Sequence, residues 1–325
     1  MPTLTLRAVC ATAAMLFAAG PTVAAALDDT PRIAILSAFE PEWVALQDGV
    51  EAREEIVEHG IRYVTGRLEG EEVVLLLSGV GMVNAAMTTQ MALDRFEITA
   101  IVFSGIAGGI DPSLSIGDVV VPEAWGPYFN VLIAREGEGG AYALPSFYDA
   151  PFANYGMIFP QPEEVRREGA EEPEDVFWFA ADPALLEAAK EAAESFALAR
   201  CSSDTTCLGK TPEVIVGGNG VSGSAFVDNA DFRRYVFDTF EARVVDMESA
   251  AVAQVAYTNS VPFIAFRSLS DLAGGGEGEN ELPVFFALAA QNSADLVRAF
   301  LRVEPKGDAN GAGSAKDDET PRPAE

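Results

Sequence analysis

The chain has 325 residues, 49% of them hydrophobic, enough to bury one large core or two modest ones. Its 50 acidic residues against 21 basic ones leave a net charge of −29, which argues against nucleic acid or an anionic membrane as partner. A single histidine, His59, removes Ser-His-Asp and Cys-His catalysis and histidine-based zinc sites, so acid–base chemistry must run on carboxylates.

The amino end reads as a targeting segment. Arg7 is its only charge, Ala8 to Ala19 is apolar, and Ala24-Ala25-Ala26 resembles a small-residue cleavage site. A cleaved signal peptide is expected over 1–26, leaving a secreted, periplasmic protein. Cys10 would leave with it. Arg32 to Ala38 predicts a first buried strand, and Pro41-Glu42-Trp43 predicts a helix start, where proline is tolerated and an acid suits the dipole. His59, in the polar run Glu51 to Gly60, is expected at a solvated helix end. Ile61 to Leu68 and Glu72 to Leu77 predict a hairpin around Glu69-Gly70. Ser78 to Met82 should turn into a helix over Val83 to Arg95. Ala100 to Phe103 and Asp118 to Pro122 read as strands, the first running into a glycine-rich turn at Ser104 to Gly109.

Residues 126 to about 180 are less regular and are expected to form a surface insertion. Ala184 to Leu198 reads as a helix. Cys201 and Cys207 remain as an even pair, expected in an oxidising compartment to close a small disulfide loop. A two-thiol metal site is the weaker alternative, since no further Cys or His stands nearby. Val214 to Gly218 predicts a strand leading into Ser222 to Val227. Glu248 opens an Ala-rich helix, and Val261 to Phe266 reads as a buried strand that Asp271 closes. Leu282 to Leu301 predicts a last helix, and residues 304–325 a disordered acidic tail. Strand and helix patterns alternate, which predicts an α/β domain over 27–303, its sheet parallel or mixed.

Glu42, Glu248 and Asp271 each follow a predicted strand, where open α/β sheets place their chemistry. Singly, each is more often a cap or a surface charge. The glycine turns Ser78 to Gly81 and Ser104 to Gly109 let a ligand approach the backbone, although tight strand–helix packing explains either turn equally well. Taken with Phe226, the acids and turns form a combination that a purely structural account does not predict.

The runs Ile33 to Leu46, Ser78 to Val121, Val221 to Asp228 and Val244 to Ala273 resemble the nucleoside phosphorylase/hydrolase superfamily. The likeness is closest to 5′-methylthioadenosine/S-adenosylhomocysteine nucleosidases and their secreted, bark storage protein-like relatives. Phe-Val-Asp-Asn at 226–229, Val-Asp-Met-Glu-Ser at 245–249 and Ser-Asp-Leu-Ala-Gly at 270–274 carry it. The resemblance implies a three-layer α/β fold with a central mixed sheet flanked by helices, and hydrolysis of a purine nucleoside without metal or organic cofactor, in a homodimer. Asp271, held by Ser270, would protonate purine N7, and Glu42 would deprotonate the attacking water. Glu248, beside Met247, would bind the ribose hydroxyls, with Ile106, Ala107 and Gly108 under the sugar. Phe226 would stack on the base, and the Val227 backbone would read its edge.

Two positions depart from the family pattern. Phe39 stands where methionine is frequent, and Ile106 where serine is frequent. Both changes bear on the 5′ substituent more than on the reaction. Glu42 and Phe103 stand where a phosphorylase would carry arginines, which favours water over phosphate as nucleophile. A non-catalytic nucleoside-binding or storage protein is the alternative from another class.

Overall fold

The structure, a computed structural model, describes residues 26–303 with the exception of positions 168, 203–205 and 277. The expected signal peptide, but for Ala26, and the expected acidic tail lie outside these residues.

The fold grows from one apolar strand, β1 (Asp28–Ser37). Ile33 to Leu36 is an unbroken apolar run, and these residues are at most 7% exposed, so β1 is covered on both faces. It leads into α1 (Glu40–Gln47). Next come β2 (Glu51–Glu58), β3 (Ile61–Leu68) and β4 (Glu71–Leu77), joined by two-residue turns. In both turns, His59-Gly60 and Glu69-Gly70, φ is positive at each residue, the geometry that matches strand twist in a tight hairpin. His59 is thus exposed in a β-turn, not at a helix end: the run before it pairs with β3 as an edge strand.

After α2 (Met82–Arg95) comes β5 (Phe96–Gly109), a strand of 14 residues. The glycine-rich Ser104 to Gly109 is therefore extended strand, not a turn. β6 (Val119–Val121) and β7 (Ala124–Gly126) follow. The irregular region contributes β8 (Val131–Ile133), β9 (Arg135–Glu136), β10 (Tyr142–Ala143), β11 (Ile158–Pro160), β12 (Glu163–Val165) and β13 (Glu174–Val176). These form three separate two-stranded antiparallel pairs, and β14 (Phe179–Ala180) then returns to β7.

The rest of the chain supplies α3 (Pro183–Ser195), β15 (Val214–Val216), β16 (Asn219–Ser222), α4 (Ala230–Phe240), β17 (Ala242–Asp246), α5 (Ser249–Asn259), β18 (Phe263–Asp271) and α6 (Leu282–Val303). Helix α4 was not foreseen. Its signal was Asn229, whose side chain accepts the Phe232 N–H at 2.8 Å as an N-cap. Cys201 and Cys207 form a disulfide.

The main sheet runs β14-β7-β16-β17-β5-β1-β4-β3-β2, with β18 branching from β5, β6 pairing β18, and β15 pairing β6. β1 lies parallel to β4 and β5, and β5 lies parallel to β18 but antiparallel to β17, so the sheet is mixed. One apolar cluster gathers Trp43, Leu46, Ala189, Leu296 and Phe300, from α1, α3 and α6. Another gathers Ala85, Ala92, Ala250 and Ala253, from α2 and α5. The result is a three-layer α/β fold. The C-terminal ends of β1, β5, β16, β17 and β18 converge, and there the polar residues collect.

Candidate active site

Glu42 occupies the first turn of α1, and its side chain folds back over the turn. Oε2 accepts the N–H groups of Ala38 (2.7 Å) and Phe39 (3.3 Å), and Oε1 accepts the Ile106 N–H at 2.9 Å. Glu248 follows β17 and is the N-cap residue of α5. Its Oε1 accepts the Gly81 N–H at 2.8 Å, at the start of α2. Gly81 has φ of 96°, a conformation that favours glycine. Asp271 ends β18: Oδ1 accepts the Ala273 N–H at 2.8 Å and Oδ2 the Ser270 hydroxyl at 3.0 Å. All three carboxyls are 5% exposed or less.

They line one cleft of about 230 Å³. Every residue that the sequence assigned to substrate faces it: Glu42, Ile106, Ala107, Gly108, Phe226, Val227, Met247, Glu248, Ser270 and Asp271. Ala38, Phe39, Val80, Ala225, Val245, Asp246 and Leu282 complete the wall. Phe226 is 59% exposed, an aromatic face open to a ligand. Cys201 and Cys207 are not among the lining residues.

Sequence reasoning assigned no role to Arg267 or Asp246. Arg267 is fully buried and pairs with Asp246 at 2.8 Å. It also donates to Ser249 Oγ at 2.8 and 3.0 Å, and its guanidinium lies 4.0 Å from the centre of the Phe103 ring. Asp246 further accepts from the Ser222 hydroxyl and from the Ser249 N–H at 3.2 Å. Opposite charges on two otherwise apolar strands require each other once buried, a link between remote segments that no local pattern gives. Gly105 makes room for the arrangement. A Cβ there would lie 1.9 Å from Arg267 Nη1 and 2.7 Å from Glu42 Oε1.

Electrostatics follow from this packing. Burial pushes the Glu42 carboxyl above its ordinary range, opposed first by the Arg267 charge. Burial raises Glu248 to about 7, helped by Asp246 and opposed by Arg267. Burial also raises Asp271, opposed by the Ala273 N–H, the Ser270 hydroxyl and the Asn280 amide. Such a site can hold one carboxyl protonated beside another kept ionised. Among the described residues, no group of three or more His, Cys, Asp or Glu is arranged to hold a metal ion.

Residues 32–302 match the family model described as the phosphorylase superfamily. The chain is 34% identical over 273 residues to the 5′-methylthioadenosine/S-adenosylhomocysteine nucleosidase of Geobacillus thermodenitrificans (strain NG80-2), covering 84% of this chain and 97% of that one. Among solved structures, the enzyme of the same name from Neisseria meningitidis, in complex with methylthio-immucillin-A, is 27% identical with a TM-score of 0.62. That match covers 83% of this chain and 98% of the other. The one from Colwellia psychrerythraea 34H, in complex with adenine, is 26% identical with a TM-score of 0.63, covering 86% and 97%. By family model, by near full-length relatives and by fold, the chain belongs to the phosphorylase superfamily, alongside the 5′-methylthioadenosine/S-adenosylhomocysteine nucleosidases.

Proposed function

We propose that the chain is a purine nucleosidase that cleaves the N-glycosidic bond with water and releases the free base, from a 5′-methylthioadenosine/S-adenosylhomocysteine-like or adenosine-like nucleoside. The observation that carries this reading is the convergence of Glu42, Glu248 and Asp271, far apart in sequence, on one largely apolar cleft. Breaking such a bond makes the sugar oxocarbenium-like, and the base leaves readily only if it need not carry full negative charge. Asp271, whose carboxyl burial pushes above its ordinary range, donates a proton to purine N7, with Ser270 holding the carboxyl. Glu42 must accept a proton from water, and the neighbouring Arg267 keeps its ionised form accessible despite burial. Glu248 takes the ribose hydroxyls beside Met247, over the floor formed by Ile106 to Gly108. Phe226 stacks on the base, and the Val227 backbone meets its edge.

Water rather than phosphate is the nucleophile in this proposal. The described lining holds four carboxyl groups and no lysine or arginine. Arg267 stands behind it, committed to Asp246. An incoming phosphate would meet negative charge.

Adenine release from 5′-methylthioadenosine and from adenosine, with and without inorganic phosphate, tests the reading. Phosphate-independent release is expected, and Asp271→Asn should slow it ~10²–10⁴-fold. No release of base from any purine nucleoside would leave a binding or storage protein, and release that requires phosphate would make it a phosphorylase.

We further propose that the protein is exported to the periplasm after removal of residues 1–26 and acts as a homodimer. The leader-like composition and the Cys201–Cys207 disulfide support export, which N-terminal sequencing of the mature protein tests. An exposed apolar stripe beside the cleft, formed by Val80, Val83 and Met87, supports the dimer.

A further inference from the structure

Asn280 is not part of the cleft wall, yet it touches the carboxyl at the cleft floor. Its amide nitrogen donates to Asp228 Oδ1 at 3.0 Å and reaches Asp271 Oδ1 at 3.5 Å. The other end of the amide fixes its orientation, because Asn280 Oδ1 accepts the Leu282 N–H at 2.9 Å. Leu282 begins α6 and belongs to the cleft wall. One side chain thus joins the acid, a second carboxylate and the start of a helix.

The segment between Asp271 and Asn280 is rich in glycines, which ordinarily signal flexibility. Here they are close-packed. A Cβ on Gly274 would lie 2.3 Å from the Asn229 nitrogen, on Gly275 2.2 Å from Arg233 Nη1, and on Gly276 2.6 Å from Glu281 Oε1. The Asn229 N–H donates to Ala273 O at 3.1 Å, seating the residues after Asp271 on the start of α4. The charged groups around Asp271 are few. Asp228 approaches it from the α4 side. Arg233 on α4 is bound to the Gly109 and Asp111 carbonyls, Arg267 on β18 is paired with Asp246, and Glu42 and Glu248 line the same cleft.

We propose, resting on the nucleosidase reading, that Asn280 is a positioning residue: its amide, shared between Asp228 and Asp271, orients the acid and follows its change of charge. A neutral carboxyl is a weak acceptor, and the amide then sits closer to Asp228. As the Asp271 proton moves to N7, the carboxylate left behind becomes a strong acceptor, and the 3.5 Å contact can shorten into a full hydrogen bond. That interaction is worth more late in the reaction than at its start, the condition for accelerating the step. Asp228 works in the other direction. Its negative charge resists charge on Asp271 and keeps the proton on the acid until it is needed.

Two variants test the bridge by moving the acid in opposite directions. Asn280→Leu removes the amide at similar volume. Asp228→Asn removes the opposing charge and keeps a polar partner. For adenine release from 5′-methylthioadenosine, Asn280→Leu is expected to lower kcat about 10–100-fold with little change in KM, as for loss of a hydrogen bond to a charged group. The alkaline limb of its kcat profile should move to higher pH, and that of Asp228→Asn to lower pH. Carboxyl titration of Asp271 by carbon NMR in the unliganded protein should show the same opposed displacements, independently of any turnover. Unmoved titrations, or displacements of the same sign, would reduce Asn280 to a packing residue and overturn the proposal. Should Asn280→Leu fail to fold, an unmoved Asp271 titration in Asp228→Asn alone overturns it. An inactive wild-type protein whose titrations still move apart would instead count against the nucleosidase reading.

Discussion

Burial raises Glu42, Glu248 and Asp271 alike, but their charged and polar neighbours differ. Glu42 has a buried cation for a neighbour, Asp271 has neutral donors, and Glu248 has the negative Asp246 close by. A carboxyl raised in the folded state costs stability once it must ionise. The Glu248 contribution is therefore complete below the ordinary value of 4.5 and is lost as pH climbs through about 7, on the order of 2–3 kcal/mol. Glu248→Gln should consequently show a smaller fall in Tm between pH 5 and pH 8 than the wild type. Thermal melts across that interval check this, and an undiminished fall would refute it. The acids were legible in the sequence because each stands where an apolar run stops. Arg267 and Asp246 were not, because their meaning lies in each other and the strands that carry them are remote in the chain. Asn280 was hidden among glycines, where a polar residue normally signals only a turn.

β5 shows where local composition misleads. Ser104 to Gly109 reads as a turn, since glycine disfavours strand. The chain stays extended there because β18 pairs one side of it and β17 the other, and because Arg267 and Glu42 fill the space that side chains would occupy. Gly105→Ala is expected to push the guanidinium out of its pairing with Asp246 and displace the Glu42 carboxyl, destabilise the fold by about 3–5 kcal/mol as for a broken buried ion pair, and abolish base release. Urea denaturation and the adenine assay would measure the two effects, and an active variant of wild-type stability would contradict the packing argument. The hairpin at Glu69-Gly70, by contrast, was legible, because its turn chemistry is local. So were α1, α2, α3 and α6, whose periodicity and start signals need no distant partner. The reading of His59 failed for the opposite reason: Glu51 to Glu58 is an edge strand so rich in glutamate that its composition mimics a helix, and only pairing with β3 decides the matter.

At the scale of the whole molecule, the net charge of −29 opposes the approach of two copies, while in the proposed dimer the apolar Val80, Val83 and Met87 stripe would favour it at short range. Added salt screens only the first effect. Sedimentation at micromolar concentration is expected to show a dimer that tightens with salt, and Val83→Glu should shift it toward monomer. A wild-type monomer at all salt concentrations would remove the dimer from the proposal. The α/β class was legible from the alternation of strand and helix patterns, and the three layers only from the family resemblance. The branching of β18 and β6 from the main sheet was not, because sheet order depends on pairings that no local pattern encodes. The cleft has a further property that follows from its wiring. Gly81 and Glu248, which share a hydrogen bond, are separated by 167 positions, and Asp271, the proposed acid, lies later still. No half-synthesised polypeptide can host a working centre: catalysis switches on only when the closing third of the sequence has been laid across the opening third, and a chain stalled or cut between them is chemically silent however well either piece has folded.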